Sequence, residues 1–65
     1  MHDYVNRAAT YRERAEEMEA LAETVNSLEV QKTFLLMASN YLEMAQILER
    51  LAGDGADGSG AQFKL

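Results

Sequence analysis

The feature that most constrains this chain is the regular spacing of its apolar residues, which alternates between intervals of four and three. The first run consists of Tyr4, Ala8, Tyr11, Ala15, Met18, Ala22 and Val25. Residues spaced in this way lie along one stripe of an α-helix, and the pattern is typical of helices that pack lengthwise against a partner helix. Asp3 is a candidate N-terminal cap. We therefore predict a helix over residues 3–25.

A second run with the same spacing begins at Val30, out of register with the first. It consists of Val30, Phe34, Met37, Tyr41, Met44, Leu48 and Leu51. Between the runs, Asn26 and Glu29 have the spacing of a capping box, and Val25 and Val30 that of a hydrophobic staple. These signs of a fresh start predict a second helix over 27–52 and an all-α antiparallel hairpin. Because no glycine or proline marks the turn, one continuous helix of about 50 residues is the alternative.

The second helix is more apolar than one hairpin partner requires. Beside its main seam runs another stripe, formed by Leu35, Ala38, Leu42, Ala45 and Ala52. Together the stripes span about 200° of the helix circumference, of which one neighbouring helix covers about half. We therefore expect a twofold dimer of hairpins, a four-helix bundle of coiled-coil type with its dimer seam along Leu35, Leu42 and their neighbours. The predicted interface residues are Phe34, Leu35, Ala38, Tyr41, Leu42, Ala45 and Leu48.

Composition excludes several classes of function. The chain of 65 residues has no cysteine, so disulfides, thiolate zinc sites and thiol nucleophiles are ruled out. Its formal charge of -5 argues against binding to nucleic acids or anionic lipid. Because no apolar stretch is long enough for a membrane span and no basic segment precedes an apolar run, we expect a soluble, cytoplasmic protein.

Residues 53–65 differ sharply from the rest and predict a helix stop followed by a flexible tail. Residues 1–52 lack glycine, whereas Gly53, Gly55 and Gly58 spell G-x-G-x-x-G. A dinucleotide site needs that sequence between a strand and a helix, and here a helix precedes it. Asp54 and Asp57 are three residues apart, which does not fit a calcium loop. The last three residues, 63–65, resemble C-terminal peptides that PDZ-type domains or proteases bind. A tail that is not recognised by another protein is the simpler interpretation.

The charged and polar side chains favour a structural role. Most glutamates lie away from the apolar seam, and the chain lacks the Glu-x-x-His sequence that di-iron bundles use. We expect Arg12 to pair with Glu16 along its helix, and Arg7 to lie near Glu49 across the hairpin. No tyrosine has a companion base, and no Ser, His and Asp set is present, so we predict no catalytic, metal or cofactor site.

Four segments of the chain form a recognisable pattern: Tyr11-Arg12-x-Arg14-Ala15-Glu16-Glu17, Leu21-Ala22-Glu23, Leu35-Leu36 with Ala38, and Tyr41-Leu42-x-Met44-Ala45. Together they resemble a group of small, uncharacterised proteobacterial helical-hairpin proteins. The resemblance covers residues 4–52 and implies a helical hairpin without an established activity. Those relatives commonly have Asp-Pro-Glu at the turn, where this chain has Asn26-Ser27-Leu28-Glu29.

These patterns together favour a non-enzymatic helical module that binds a second copy of itself and acts in protein–protein interaction or regulation. The alternative is an adaptor or antitoxin-like protein whose apolar second helix binds a different protein. A bundle that binds a ligand or a metal is a third class, with less support from the residues.

Overall fold

The computed structural model describes residues 3–56, and their side chains from residue 3 to residue 53. Helix α1 spans Tyr4–Thr24 and helix α2 spans Leu28–Ala56, and the two pack against each other along their length. The described part contains no strand. The predicted all-α hairpin is therefore confirmed, and the alternative of one continuous helix is wrong.

The turn between the helices uses a different cap from the predicted one. Val25 adopts an extended conformation with φ -92° and ψ 151°, which ends α1. The backbone N–H of Val30 then donates to Ser27 Oγ at 3.3 Å, and that of Gln31 donates to the Ser27 carbonyl oxygen at 2.9 Å. Ser27 therefore takes the cap position that the sequence assigned to Asn26, because its hydroxyl reaches the third N–H of the new helix.

Asp3 lies at the N-cap position of α1, as predicted, but not with the predicted side-chain chemistry. The side chain of Asp3 makes no capping hydrogen bond. Only its backbone carbonyl takes part, accepting from the N–H of Arg7 at 3.1 Å. Asp3 therefore begins the helix through its main chain alone.

The seam of α1 is the predicted one. Ala8, Ala15 and Ala22 are each only 1% exposed. The residues between them on the same stripe are half-buried: Tyr4, Tyr11, Met18 and Val25. Every position of the first apolar run therefore faces α2.

The seam of α2 is shifted around the helix from the predicted one. Among the side chains of α2 that the structure describes, the buried ones are Ala38, Ala45 and Leu48, at 2%, 0% and 8% exposure. The half-buried residues that accompany them are Gln31, Phe34, Tyr41, Leu42 and Ala52. By contrast, Val30, Met37, Met44 and Leu51 are 42%, 37%, 42% and 42% exposed, so their assignment to the main seam is wrong.

Side-chain size explains the shift. Alanines of α1 meet a helix whose own alanines recur every seven residues, at positions 38, 45 and 52. Alanine against alanine lets two helices approach closely, whereas methionine at the same positions would hold them apart. The larger apolar side chains are consequently displaced to the flanks of the contact.

Helix α2 continues beyond its predicted end. Gly53 and Gly55 lie inside the helix, which reaches Ala56. A glycine in a helix costs about 1 kcal/mol relative to alanine, which weakens an established helix without stopping it at once. The predicted stop at Gly53 is therefore wrong, and the predictions that concern residues 57–65 lie outside the described residues.

Candidate interaction surfaces

A cross-helix ion pair defines one side of the hairpin. Arg12 Nε donates to Glu49 Oε2 at 2.7 Å, and Arg12 Nη2 donates to Glu49 Oε1 at 2.8 Å. Arg12 immediately follows the half-buried seam residue Tyr11, and Glu49 immediately follows the buried seam residue Leu48. Both therefore lie on the same side of the seam. We call this the Glu49 side, formed by Val5, Arg12, Glu19, Leu28, Leu35, Leu42 and Glu49.

The ion pair replaces both pairings expected from the sequence. Arg12 pairs across the hairpin rather than with Glu16, and Glu49 pairs with Arg12 rather than with Arg7. The hydrogen bond from Arg12 holds the pKa of the Glu49 carboxyl below its usual range, and the same contact raises the pKa of Arg12. Both side chains are 44% exposed, so the pair is a surface contact.

The opposite flank of the hairpin is mainly apolar on α2. Most of its residues come immediately before a seam residue, as Met37 precedes Ala38 and Met44 precedes Ala45. Ile47 lies beside them on the same side of the helix. We call it the methionine side, formed by Leu21, Val30, Met37, Met44, Ile47 and Leu51, which are 37–44% exposed. The sequence-based interpretation missed this surface because it placed most of these residues in the core. The repeat of alanine every seven residues on both helices was the signal that could have found it.

The residues predicted as an interface between copies have mixed positions in the hairpin. Ala38, Ala45 and Leu48 are buried by the contact between the chain's own helices, so they are not part of its surface. The half-buried members are Phe34, Tyr41 and Leu42. Leu35, at 47%, is the one member that is largely exposed. Burial of Leu35 and Leu42 by a second copy stays a prediction.

A groove lies beside the two tyrosines on the α1 edge of the methionine side. It has a volume of about 440 Å³ and is lined by Arg7, Thr10, Tyr11, Arg14 and Tyr41. The rings of Tyr11 and Tyr41 come from different helices, with centroids 5.9 Å apart and planes inclined by 31°. The hydroxyl of Thr10 donates to the carbonyl oxygen of Asn6 at 3.1 Å, and its oxygen can still accept a hydrogen bond.

The described residues contain no cluster of three or more His, Asp or Glu side chains that could hold a metal ion. Neither helix combines the length and the apolar character that crossing a bilayer requires, over the part of the chain that the structure describes. Comparisons with known protein families, with curated proteins and with solved structures found no match for this chain.

Proposed function

We propose that this chain is a self-associating helical interaction module, in which two hairpins form a four-helix bundle through their methionine sides. The observation that carries the proposal is the stripe of Val30, Met37, Met44 and Leu51, which repeats every seven residues and is 37–42% exposed. A continuous apolar stripe of this kind on a helix marks a contact with another helix. A twofold axis through the stripe would let it bury its own copy.

The thin core of the hairpin supports the same proposal. Among the described residues, the buried apolar side chains are five alanines of the seam and Leu48, and no large side chain is fully buried. Small domains depend on added burial when their own core is slight. A second hairpin would supply that burial, since most of the exposed large apolar side chains lie on α2.

The Glu49 side is less suited to the same contact. Its α1 half carries Arg12 and Glu19, and the Arg12–Glu49 pair would have to lose water if a second copy covered it. Its exposed apolar residues are Val5, Leu28 and Leu35. We therefore assign self-association to the methionine side. A substitution at Leu35 tests whether the Glu49 side forms the contact instead.

A second candidate is an adaptor or antitoxin-like protein that binds a different protein. It is favoured by Met37 and Met44, because flexible thioether side chains adapt to partners of different shape. Both candidates are non-enzymatic and cytoplasmic, and both use the same surface. They differ in whether the purified chain associates by itself.

Light scattering across a dilution series, with circular dichroism to follow helix content, tests the proposal. Wild type should change from dimer to monomer on dilution. Met44→Glu should weaken the dimer roughly a hundredfold, because it would place a charge in an apolar contact. Leu36→Glu is the matched control, since Leu36 is 62% exposed and lies on the face of α2 opposite the seam.

Three results would count against the assignment. A Met44→Glu variant that stays dimeric at every concentration contradicts the methionine side as the contact. If Leu35→Glu dissociates the dimer instead, the Glu49 side is the interface. A wild-type chain that is folded and monomeric at high concentration contradicts self-association and favours the adaptor.

A further inference from the structure

The groove between Arg7 and Arg14 concentrates positive charge on an acidic protein. The two residues are one heptad apart on α1, about 10.5 Å along the helix axis. Within the described residues, neither has a carboxylate within ion-pair distance, whereas Arg12 on the same helix is paired with Glu49. No acidic side chain is found among the described residues that line the groove. Its charged groups are therefore two guanidinium groups that are free to bind an anion.

Two aromatic rings complete the groove. Tyr11 and Tyr41 are close enough, at 5.9 Å between centroids, to form one continuous apolar surface supplied by both helices. Aromatic faces favour stacked or tilted contacts with another ring. The volume of about 440 Å³ lies within the range of small-molecule sites in proteins.

We propose that this groove binds a small aromatic molecule that carries a phosphate group, with the ring on Tyr11 and Tyr41 and the phosphate between Arg7 and Arg14. A phosphate monoester carries close to two negative charges at neutral pH, which matches two guanidinium groups. The formal charge of -5 opposes binding at long range, but physiological salt screens charges more than about 8 Å away. The local guanidinium groups then dominate the interaction.

The proposal does not depend on self-association, because one chain supplies every residue of the groove. The groove nevertheless opens on the methionine side, so binding is to be measured at a concentration where light scattering gives the monomer. Failure of the dimer test and failure of the ligand test are then separate results.

The experiment follows the ring signals of the three tyrosines by NMR while phenyl phosphate is added. The signals of Tyr11 and Tyr41 should shift and saturate, while those of Tyr4, which does not line the groove, should shift least. Inorganic phosphate and phenol should each bind at least roughly tenfold more weakly, because each supplies half of the contacts. Benzoate has an aromatic ring and a single negative charge, so its affinity should lie between those of the two fragments and that of phenyl phosphate.

Variants connect the binding to the named residues. Arg7→Gln and Arg14→Gln should each weaken binding of phenyl phosphate roughly tenfold, the loss expected for a charge-assisted hydrogen bond. Arg50→Gln removes the same charge from α2 outside the groove and should leave the affinity within about twofold. Unchanged circular dichroism verifies that the variants are folded.

Three outcomes would overturn the proposal. The first is a linear, non-saturating response to phenyl phosphate. The second is equal loss of affinity in Arg50→Gln and in the groove variants, which would indicate general attraction to positive charge. The third is binding of inorganic phosphate as tight as that of phenyl phosphate, which would remove the tyrosine rings from the site.

Discussion

Arg12 of α1 binds both carboxylate oxygens of Glu49 of α2, at 2.7 and 2.8 Å, and so joins residues that are 37 positions apart in the chain. A guanidinium group and a carboxylate form this bidentate pair across the hairpin only when the two helices are in one register. The pair therefore marks how the hairpin closes and separates its two flanks. Because both side chains are exposed, it contributes more to the choice of register than to the free energy of unfolding.

Stability should fall at acidic pH in part through this pair. The folded-state pKa of Glu49 is lowered from 4.5, mainly by the hydrogen bond from Arg12. A lowered carboxyl pKa stabilises the fold above the unfolded-state pKa, and the contribution is lost as the pH falls through the folded-state value. We expect the melting temperature of wild type to drop more than that of Glu49→Gln between about pH 5 and pH 3. Parallel pH profiles of the two proteins by circular dichroism would contradict this.

The alanine seam should tolerate no extra volume. Ala45 is fully buried, at 0% exposure, where α2 approaches α1. Ala45→Leu should lower the free energy of unfolding by about 1–3 kcal/mol or more, because the added atoms would force the helices apart. Ala20→Leu, at an exposed position of α1, is the control and should change it by less than about 0.5 kcal/mol. Urea denaturation measures the free energy of unfolding of both variants. Equal losses would contradict the close packing of the two helices at Ala45.

The turn offers a direct comparison of two neighbouring cap candidates. Ser27 Oγ accepts from the N–H of Val30, so Ser27→Ala should lower the free energy of unfolding by about 1 kcal/mol. Asn26→Ala should have an effect close to zero, because the side chain of Asn26 makes no hydrogen bond to the start of α2. Thermal melts of both variants test this. A larger loss in Asn26→Ala would restore the capping box predicted from the sequence.

Gly53 tests where α2 ends. It lies inside the helix, and a Cβ added there would meet no heavy atom within 4 Å. Gly53→Ala should therefore raise the free energy of unfolding by about 0.5–1 kcal/mol, because alanine loses less backbone freedom than glycine in a helix. A destabilised variant in thermal melts would mean that the residue acts as the helix stop that the sequence alone suggested.

The sequence alone predicted the hairpin, with one continuous helix as the alternative, and it indicated the face that α1 turns inward. In α1 the apolar spacing is flanked by arginine and glutamate, so one stripe could be buried and the rest had to face water. The fresh start near residue 27 followed from local cap chemistry. Both features are encoded in residue patterns that recur within a few positions of the chain, which is why a single sequence indicates them.

Only the tertiary structure decided which stripe of α2 faces α1. Two stripes of this helix have the same spacing and share Phe34, Tyr41 and Leu48, and they differ in whether methionine or alanine lies between these residues. Helical periodicity cannot separate them, since both are apolar. Close packing against the alanines of α1 selects the alanine stripe. That choice leaves the methionines exposed and brings Tyr41 to Tyr11 beside the two arginines, and both proposals depend on it.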